Sequence, residues 1–150
     1  CFTAEEIWKH MPHKENENQE SIMLEYWPKV NSAYENKALE EKWNRIIKIK
    51  DEAAKALEVA RAEKVIGHSL NAKVIINADK ESYEFLNGKE ELLQEVFIVS
   101  GVEVKEEKEF SVEVAVADGQ KCERCWMYST TVGEDKENST IGHKCSEALK

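Results

Sequence analysis

Three cysteines near the end of the chain have the type and spacing that could do chemistry. Cys122 and Cys125 form a C-x-x-C pair, and Cys145 follows about twenty residues later. Two thiolates at this spacing can hold one metal ion from a tight turn, and a third at that distance is usual for the other half of a four-ligand site. Thiolates favour zinc, and structural zinc sites close at four ligands. The spacing therefore predicts a zinc site.

The fourth ligand is not evident from the sequence. A second C-x-x-C pair would place a cysteine three residues before Cys145, where Gly142 stands instead. His143, two residues before Cys145, is the nearest substitute. The site is therefore three cysteines with His143, three cysteines with water, or an empty site. A redox dithiol at Cys122 and Cys125 is the rival interpretation, and it needs a thiol whose pKa is lowered.

Aromatic and basic residues surround the C-x-x-C pair, namely Lys121, Arg124, Trp126 and Tyr128. Such a set can stack unpaired bases and meet phosphates, so it is a candidate RNA-binding surface. The alternative is that the rings only cover the cysteine sulfurs. His68 has no catalytic partner nearby in the sequence and is predicted to be structural. Because no phosphate-cradling loop or H-E-x-x-H motif occurs, no catalytic residue is predicted.

Composition narrows the classes of function. The 150 residues include 21 Lys and Arg against 30 Asp and Glu, a net charge of −9 at pH 7. A general polyanion binder would present a basic surface, although a local RNA site is compatible with this balance. No apolar run approaches the ~20 residues of a membrane span, so no membrane partner is predicted. The chain begins at Cys1 without Met and is expected to be a piece of a longer protein.

The elements that must position these residues follow from periodicity. Apolar residues recur at three- and four-residue steps over 36–66, which predicts a long helix ended by Gly67. Strands are predicted at Ala72–Ile76, Val96–Ser100 (continuing through Val104) and Phe110–Val116, with short helical segments at 80–85 and 88–95 and a hairpin connection at 105–109. The fold class is therefore α+β: a long helix packed on a small, mainly antiparallel sheet. A knuckle with too few aliphatic residues for a core follows from residue 118.

Three strings, in order, carry a resemblance: FTAEEIW at Phe2–Trp8, ALEVARAEKVIGHSLNAKV at Ala56–Val74, and KCERCW at Lys121–Trp126. Together they resemble the C-terminal end of bacterial isoleucyl-tRNA synthetases, which are class I aminoacyl-tRNA synthetases. The string KCERCW after the sheet is the specific part. The resemblance covers essentially the whole chain.

The resemblance implies three domains: the end of a helical anticodon-binding domain at 1–35, an α+β junction domain at 36–117 and a zinc-binding domain at 118–150. It implies zinc ligands at Cys122, Cys125 and Cys145, with the family's fourth cysteine falling on Gly142. It also implies a monomeric, cytoplasmic parent that joins isoleucine to tRNA with ATP and magnesium. The upstream domains would perform that chemistry, and this piece would contribute only to tRNA binding.

Two other classes of function remain at this point. One is a free-standing zinc-knuckle module that binds protein or RNA, and the other is a small redox protein. Metal content separates the redox protein from the rest. A comparison of tRNA with unrelated RNA separates the synthetase piece from the free-standing module.

Overall fold

The computed structural model describes residues 1–18 and 20–149 of the chain. The chain divides into two units, Cys1–Ala38 and Leu39–Lys150. Within the described ranges, no helix combines the length and the apolar character that crossing a bilayer requires.

In the first unit, helix α1 (Phe2–His10) is anchored by one tryptophan. The indole N–H of Trp8, which is buried, donates to the carbonyl of Asn18 at 2.9 Å. Its ring packs against the ring of His13, with 4.5 Å between centroids. Thr3 with Glu6 three residues later has the spacing of a capping box, which predicts an N-cap at Thr3. That prediction is wrong, because the helix begins after Cys1 without a side-chain cap.

The long helix α2 (Lys37–Ala62) belongs to the second unit from Leu39 onward. It confirms the predicted amphipathic helix. Its apolar stripe enters the main core, since Ile46 and Ala53 are fully buried. The rest of the buried stripe is Ile49, Leu57 and Ala60. This stripe shares its core with the central strand and with the short helices that follow.

The end of α2 lies earlier than the sequence suggests. Lys64 adopts the left-handed conformation, with φ of 62°. The N–H of Lys64 donates to Arg61 at 3.1 Å, and the N–H of Val65 donates to Ala60 at 2.9 Å. This pair of hydrogen bonds is the Schellman pattern, which satisfies the last carbonyls of the helix. Gly67 is therefore not the terminating residue, and that prediction is wrong.

The sheet of the second unit has three strands in the order β2-β1-β3. Their bounds are Ala72–Ala78 for β1, Gly101–Glu106 for β2 and Ser111–Val116 for β3. The central strand β1 pairs antiparallel with β3 but parallel with β2, so the sheet is mixed rather than mainly antiparallel. Helices α3 (Lys80–Leu86) and α4 (Glu90–Phe97) supply the crossover that parallel pairing requires.

The predicted strand over Val96–Ser100 is wrong, and only its continuation through Val104 is confirmed. Val96 and Phe97 complete α4, and Ile98 ends it in the left-handed conformation with φ of 57°. A short apolar run fits a buried helical turn as well as a strand, so periodicity alone does not separate the two. The strand itself begins at Gly101.

The connection over residues 105–109 is not a hairpin. Because β2 and β3 lie on opposite sides of β1, it crosses the end of the central strand. The N–H of Glu107 donates to the carbonyl of Ala78 at 2.8 Å on this crossing. His68 has the structural role predicted for it: its Nδ1 accepts the N–H of Leu70 at 3.2 Å and caps a 3₁₀ turn.

The final segment folds as a small hairpin and a short helix. Strands β4 (Gln120–Lys121) and β5 (Tyr128–Ser129) pair antiparallel, and helix α5 spans His143–Glu147. Gly119 leads into the hairpin with φ of 87°, and a Cβ at this position would overlap the carbonyl group of Ser129. Only glycine therefore fits here, because both the backbone angle and the contact exclude a side chain.

We expect Gly119→Ala to destabilise the protein more than Gly88→Ala. Gly88 also has a positive φ, of 76°, but no atom lies within 4 Å of a Cβ built there. The control substitution should cost about 1–2 kcal/mol for the left-handed backbone alone. Gly119→Ala should cost a further ~1–3 kcal/mol, since a backbone group must move. Urea unfolding of both variants at equal zinc saturation measures the difference, and equal losses would contradict this account of Gly119.

Candidate metal centre

The three cysteines selected by their spacing come together in the second unit. The sulfurs of Cys122, Cys125 and Cys145 all lie within 4.8 Å of one another. Four sulfurs bound tetrahedrally at the usual Zn–S length of about 2.3 Å would be about 3.8 Å apart. A small contraction of the three side chains would therefore close them around one ion.

Two tight turns place these sulfurs. The N–H of Cys122 donates to the carbonyl of Met127 at 2.8 Å, and the N–H of Trp126 donates to the carbonyl of Cys122 at 2.9 Å. Trp126 adopts a φ of 68°, which turns the chain from the C-x-x-C pair into β5. Cys145 comes from α5, where its N–H donates to the carbonyl of Gly142 at 3.0 Å.

The electrostatics of the cluster favour a cation. Burial raises the pKa of the Cys122 thiol, but hydrogen bonds from the backbone of Cys125, Gly142 and Arg124 outweigh it and lower that pKa to about 6. Burial and the neighbouring sulfurs raise the pKa of Cys125 to about 11. One sulfur is therefore charged at neutral pH and keeps a proton on its neighbour. A divalent ion can take the place of that proton, so the donor set fits zinc.

The structure does not bring His143 into this cluster. Its ring is exposed, and its Nε2 lies 3.3 Å from a carboxylate oxygen of Glu147. The part of His143 that faces inward is its backbone N–H, which donates to the Thr131 hydroxyl at 3.0 Å. Ligation by His143 stays a prediction, and the observed side-chain geometry does not support it.

All four candidate RNA-binding residues lie on the β4–β5 hairpin. The ammonium of Lys121 sits 4.6 Å from the centroid of the Trp126 ring, a cation–π contact. The Trp126 side chain is 60% exposed, so the ring is accessible from solvent. Tyr128 stands opposite Lys121 in the β4–β5 ladder. Arg124 is exposed in the turn between the two cysteines.

Residues that sequence reasoning missed attach the knuckle to the rest of the second unit. The hydroxyl of Ser100 donates to the carbonyl of Leu70 at 2.6 Å and accepts the N–H of Tyr128 at 2.7 Å. Lys144 forms an ion pair with Glu95 at 3.1 Å. Serine and lysine at such positions carry no sequence signal, because neither spacing nor residue type distinguishes them from surface residues.

A carboxylate holds the acidic loop against α5. Asp135 accepts hydrogen bonds from the hydroxyl of Ser146 and from the backbone N–H of Glu137. These bonds lower the pKa of Asp135 to about 2. The lowered pKa keeps this carboxylate charged into the acid range, and the carboxylate fixes the chain that carries Cys145 through its bond to Ser146.

We expect removal of zinc to unfold residues 118–149 selectively. Their buried cluster consists only of Cys122, Ile141 and Cys145, with Val132 packed against it, so metal bonds must supply most of the order. The core built on α2 and β1 should stay protected, because it is held by apolar burial. Hydrogen exchange with and without a chelator, on protein with about one zinc per chain, measures this. A knuckle that stays protected after zinc removal would contradict it.

Comparisons with known proteins match both parts of the chain. Residues 1–76 match the family described as the anticodon-binding domain of tRNA ligase. Residues 119–146, which contain the three cysteines, match the zinc finger found in FPG and IleRS. Together the two matches cover α1, α2 and the knuckle.

Curated relatives align over the whole chain. The isoleucine–tRNA ligase of Caldanaerobacter subterraneus subsp. tengcongensis is 46% identical over 100% of this chain and 17% of its own length. That of Caldicellulosiruptor saccharolyticus is 49% identical over 99% of this chain and 16% of its own length. The chain thus spans about a sixth of the curated relatives it matches. It belongs to the family of the anticodon-binding domain of tRNA ligase, and its similarity is to the C-terminal region of isoleucine–tRNA ligases.

Proposed function

We propose that this chain is the non-catalytic C-terminal part of an isoleucine–tRNA ligase and contributes to binding tRNA at the anticodon end. The observation that carries this is similarity over 99–100% of the chain to isoleucine–tRNA ligases, together with the anticodon-binding match at 1–76. The parent would attach isoleucine to its tRNA using ATP and magnesium. Upstream domains of the same chain would perform that reaction.

We propose that three segments of the chain have different roles. Residues 1–35 would end the helical anticodon-binding domain, residues 36–117 would form the junction domain, and residues 118–150 would form the zinc-binding domain. The zinc-finger match at 119–146 supports the last boundary. We further propose that the parent acts as a monomer in the cytoplasm.

Within the zinc-binding domain, the RNA contact would be made by the hairpin face. Trp126 offers an exposed ring for stacking, and Lys121 and Arg124 offer charge for phosphates. Tyr128 would add a second ring beside them. Since the chain carries a net charge of −9, these few local cations would matter more than any overall attraction.

The two other classes of function fit less well. A free-standing zinc-knuckle module would not require similarity to isoleucine–tRNA ligases along the whole chain. A redox dithiol would not require a third thiol within 4.8 Å of the pair. Both observations favour the ligase piece with a metal-bound knuckle.

Trp126→Ala in the full-length enzyme should raise the KM for tRNA by about 5- to 150-fold, which corresponds to ~1–3 kcal/mol for one stacked base. Isoleucine-dependent ATP–pyrophosphate exchange should not change, because the substitution lies outside the catalytic domain. Phe110→Ala is the matched control, since Phe110 is also a partly exposed ring but precedes β3. If Trp126→Ala keeps its zinc and fold and binds tRNA like the parent, the ring only covers sulfur.

Lys121→Ala should weaken the binding of tRNA and of other RNA sequences by a similar factor. It should also reduce the slope of log affinity against log salt by about one. The physical reason is loss of one phosphate contact. Lys108→Ala is the matched control, because it removes the same charge from the connection at the far end of β2. Affinity titrations at several salt concentrations measure both slopes. Equal slopes for the two variants would argue against a phosphate contact at Lys121.

A further inference from the structure

Gly142 leaves a space beside the cysteine cluster, although its backbone conformation does not require glycine. Its φ of −78° and ψ of 165° are open to any residue. A Cβ built there would lie 3.4 Å from the hydroxyl oxygen of Thr131 and 3.7 Å from that of Ser129, which are ordinary contact distances. Gly142 and Cys122 line the same cavity. The space therefore adjoins a thiol and is bordered by two hydroxyls.

The same space belongs to one open cavity of about 420 Å³. Its wall includes the three cysteines, Gly142, Ser129 and Thr131. One water occupies about 30 Å³ in the liquid, and it needs two or more polar partners to be held. Room, solvent access and polar partners are all present next to the sulfurs.

The hydroxyls of Ser129 and Thr131 together retain one unused donor and one unused acceptor after their hydrogen bonds to the protein are counted. The oxygens of Ser129 and Thr131 lie 2.8 Å apart, so one hydroxyl donates to the other. Ser129 also accepts the N–H of Thr131 at 3.2 Å, and Thr131 accepts the N–H of His143 at 3.0 Å. Each hydroxyl has one proton and two acceptor positions. Whichever hydroxyl donates within the pair, one proton and one lone pair remain for a further molecule, and a water matches both.

The described residues offer no fourth ligand of their own. Among them, the metal-ligating group consists of three sulfurs, with no histidine nitrogen or carboxylate oxygen close enough to join all three. The ring of His143 faces Glu147 instead. Neutral hydroxyls are not usual zinc ligands, so Ser129 and Thr131 suit a role as hydrogen-bonding partners of the ligand.

We infer that the knuckle holds zinc with three cysteines and one water, seated in the space at Gly142 and oriented by Ser129 and Thr131. This inference rests on zinc binding by the cysteine cluster. It makes the centre open at one position, where small donors such as imidazole or a free thiol can replace the water. A centre with four cysteines would be closed to them.

X-ray absorption of the zinc-loaded chain tests the ligand count. We expect three sulfurs and one light atom in the parent, and four sulfurs in Gly142→Cys. With cobalt in place of zinc, added imidazole should change the visible spectrum of the parent and leave that of Gly142→Cys unchanged. The double variant Ser129→Ala with Thr131→Val should keep three sulfurs and bind zinc about 10- to 100-fold more weakly.

His143→Ala is the matched control, and it should alter neither the cobalt spectrum nor the zinc affinity. A changed spectrum in this variant would make His143 the fourth ligand and overturn the inference. Four sulfurs in the parent would also overturn it, as would unchanged zinc affinity in the double variant. A chain that binds neither zinc nor cobalt after metal-replete expression would overturn zinc binding and the inference together, whereas the other outcomes leave zinc binding intact.

Discussion

The close approach of three sulfurs is the constraint on which residues 118–149 depend. Three thiols within 4.8 Å cannot all be charged without a cation. Backbone hydrogen bonds outweigh burial and lower the pKa of Cys122, whereas burial and the neighbouring sulfurs raise the pKa of Cys125. Backbone N–H groups stabilise one negative sulfur, but they do not neutralise a second. The hairpin, the acidic loop and α5 are therefore arranged around a charge that only a metal ion balances well.

Two different kinds of interaction stabilise the two parts of the second unit. The larger part is held by apolar burial on α2 and β1, whose inward residues are almost fully covered. The knuckle is held by sulfur and by polar contacts, and it is attached to the sheet through Ser100. This attachment gives the exposed Trp126 and Lys121 a rigid support, which a recognition surface for RNA requires.

Sequence reasoning succeeded where periodicity is strong and failed where single residues decide the geometry. The apolar stripe of α2, the alternation of β3 and the convergence of the cysteines could all be predicted from the sequence. The ends of α2 and α4 were not, because Lys64 and Ile98 take left-handed conformations that residue type disfavours. The strand order depended on a two-helix crossover, which no local pattern encodes. The hydroxyls of Ser129 and Thr131 become meaningful only once Gly142 is placed beside them.

The strand order has a consequence for aggregation. The most β-prone run of the chain, Val74–Ile76, lies in the central strand and is shielded on both sides. The two edge strands carry charge instead. On β2, Glu103 pairs with Lys105 of the same strand and with Lys73 of β1, and β3 carries Glu113. Charged edges discourage another chain from pairing. The risk of aggregation is thus confined to the unfolded chain. Before β2 and β3 pair with β1, the run Val74–Ile76 is uncovered and can pair with the same run of another copy.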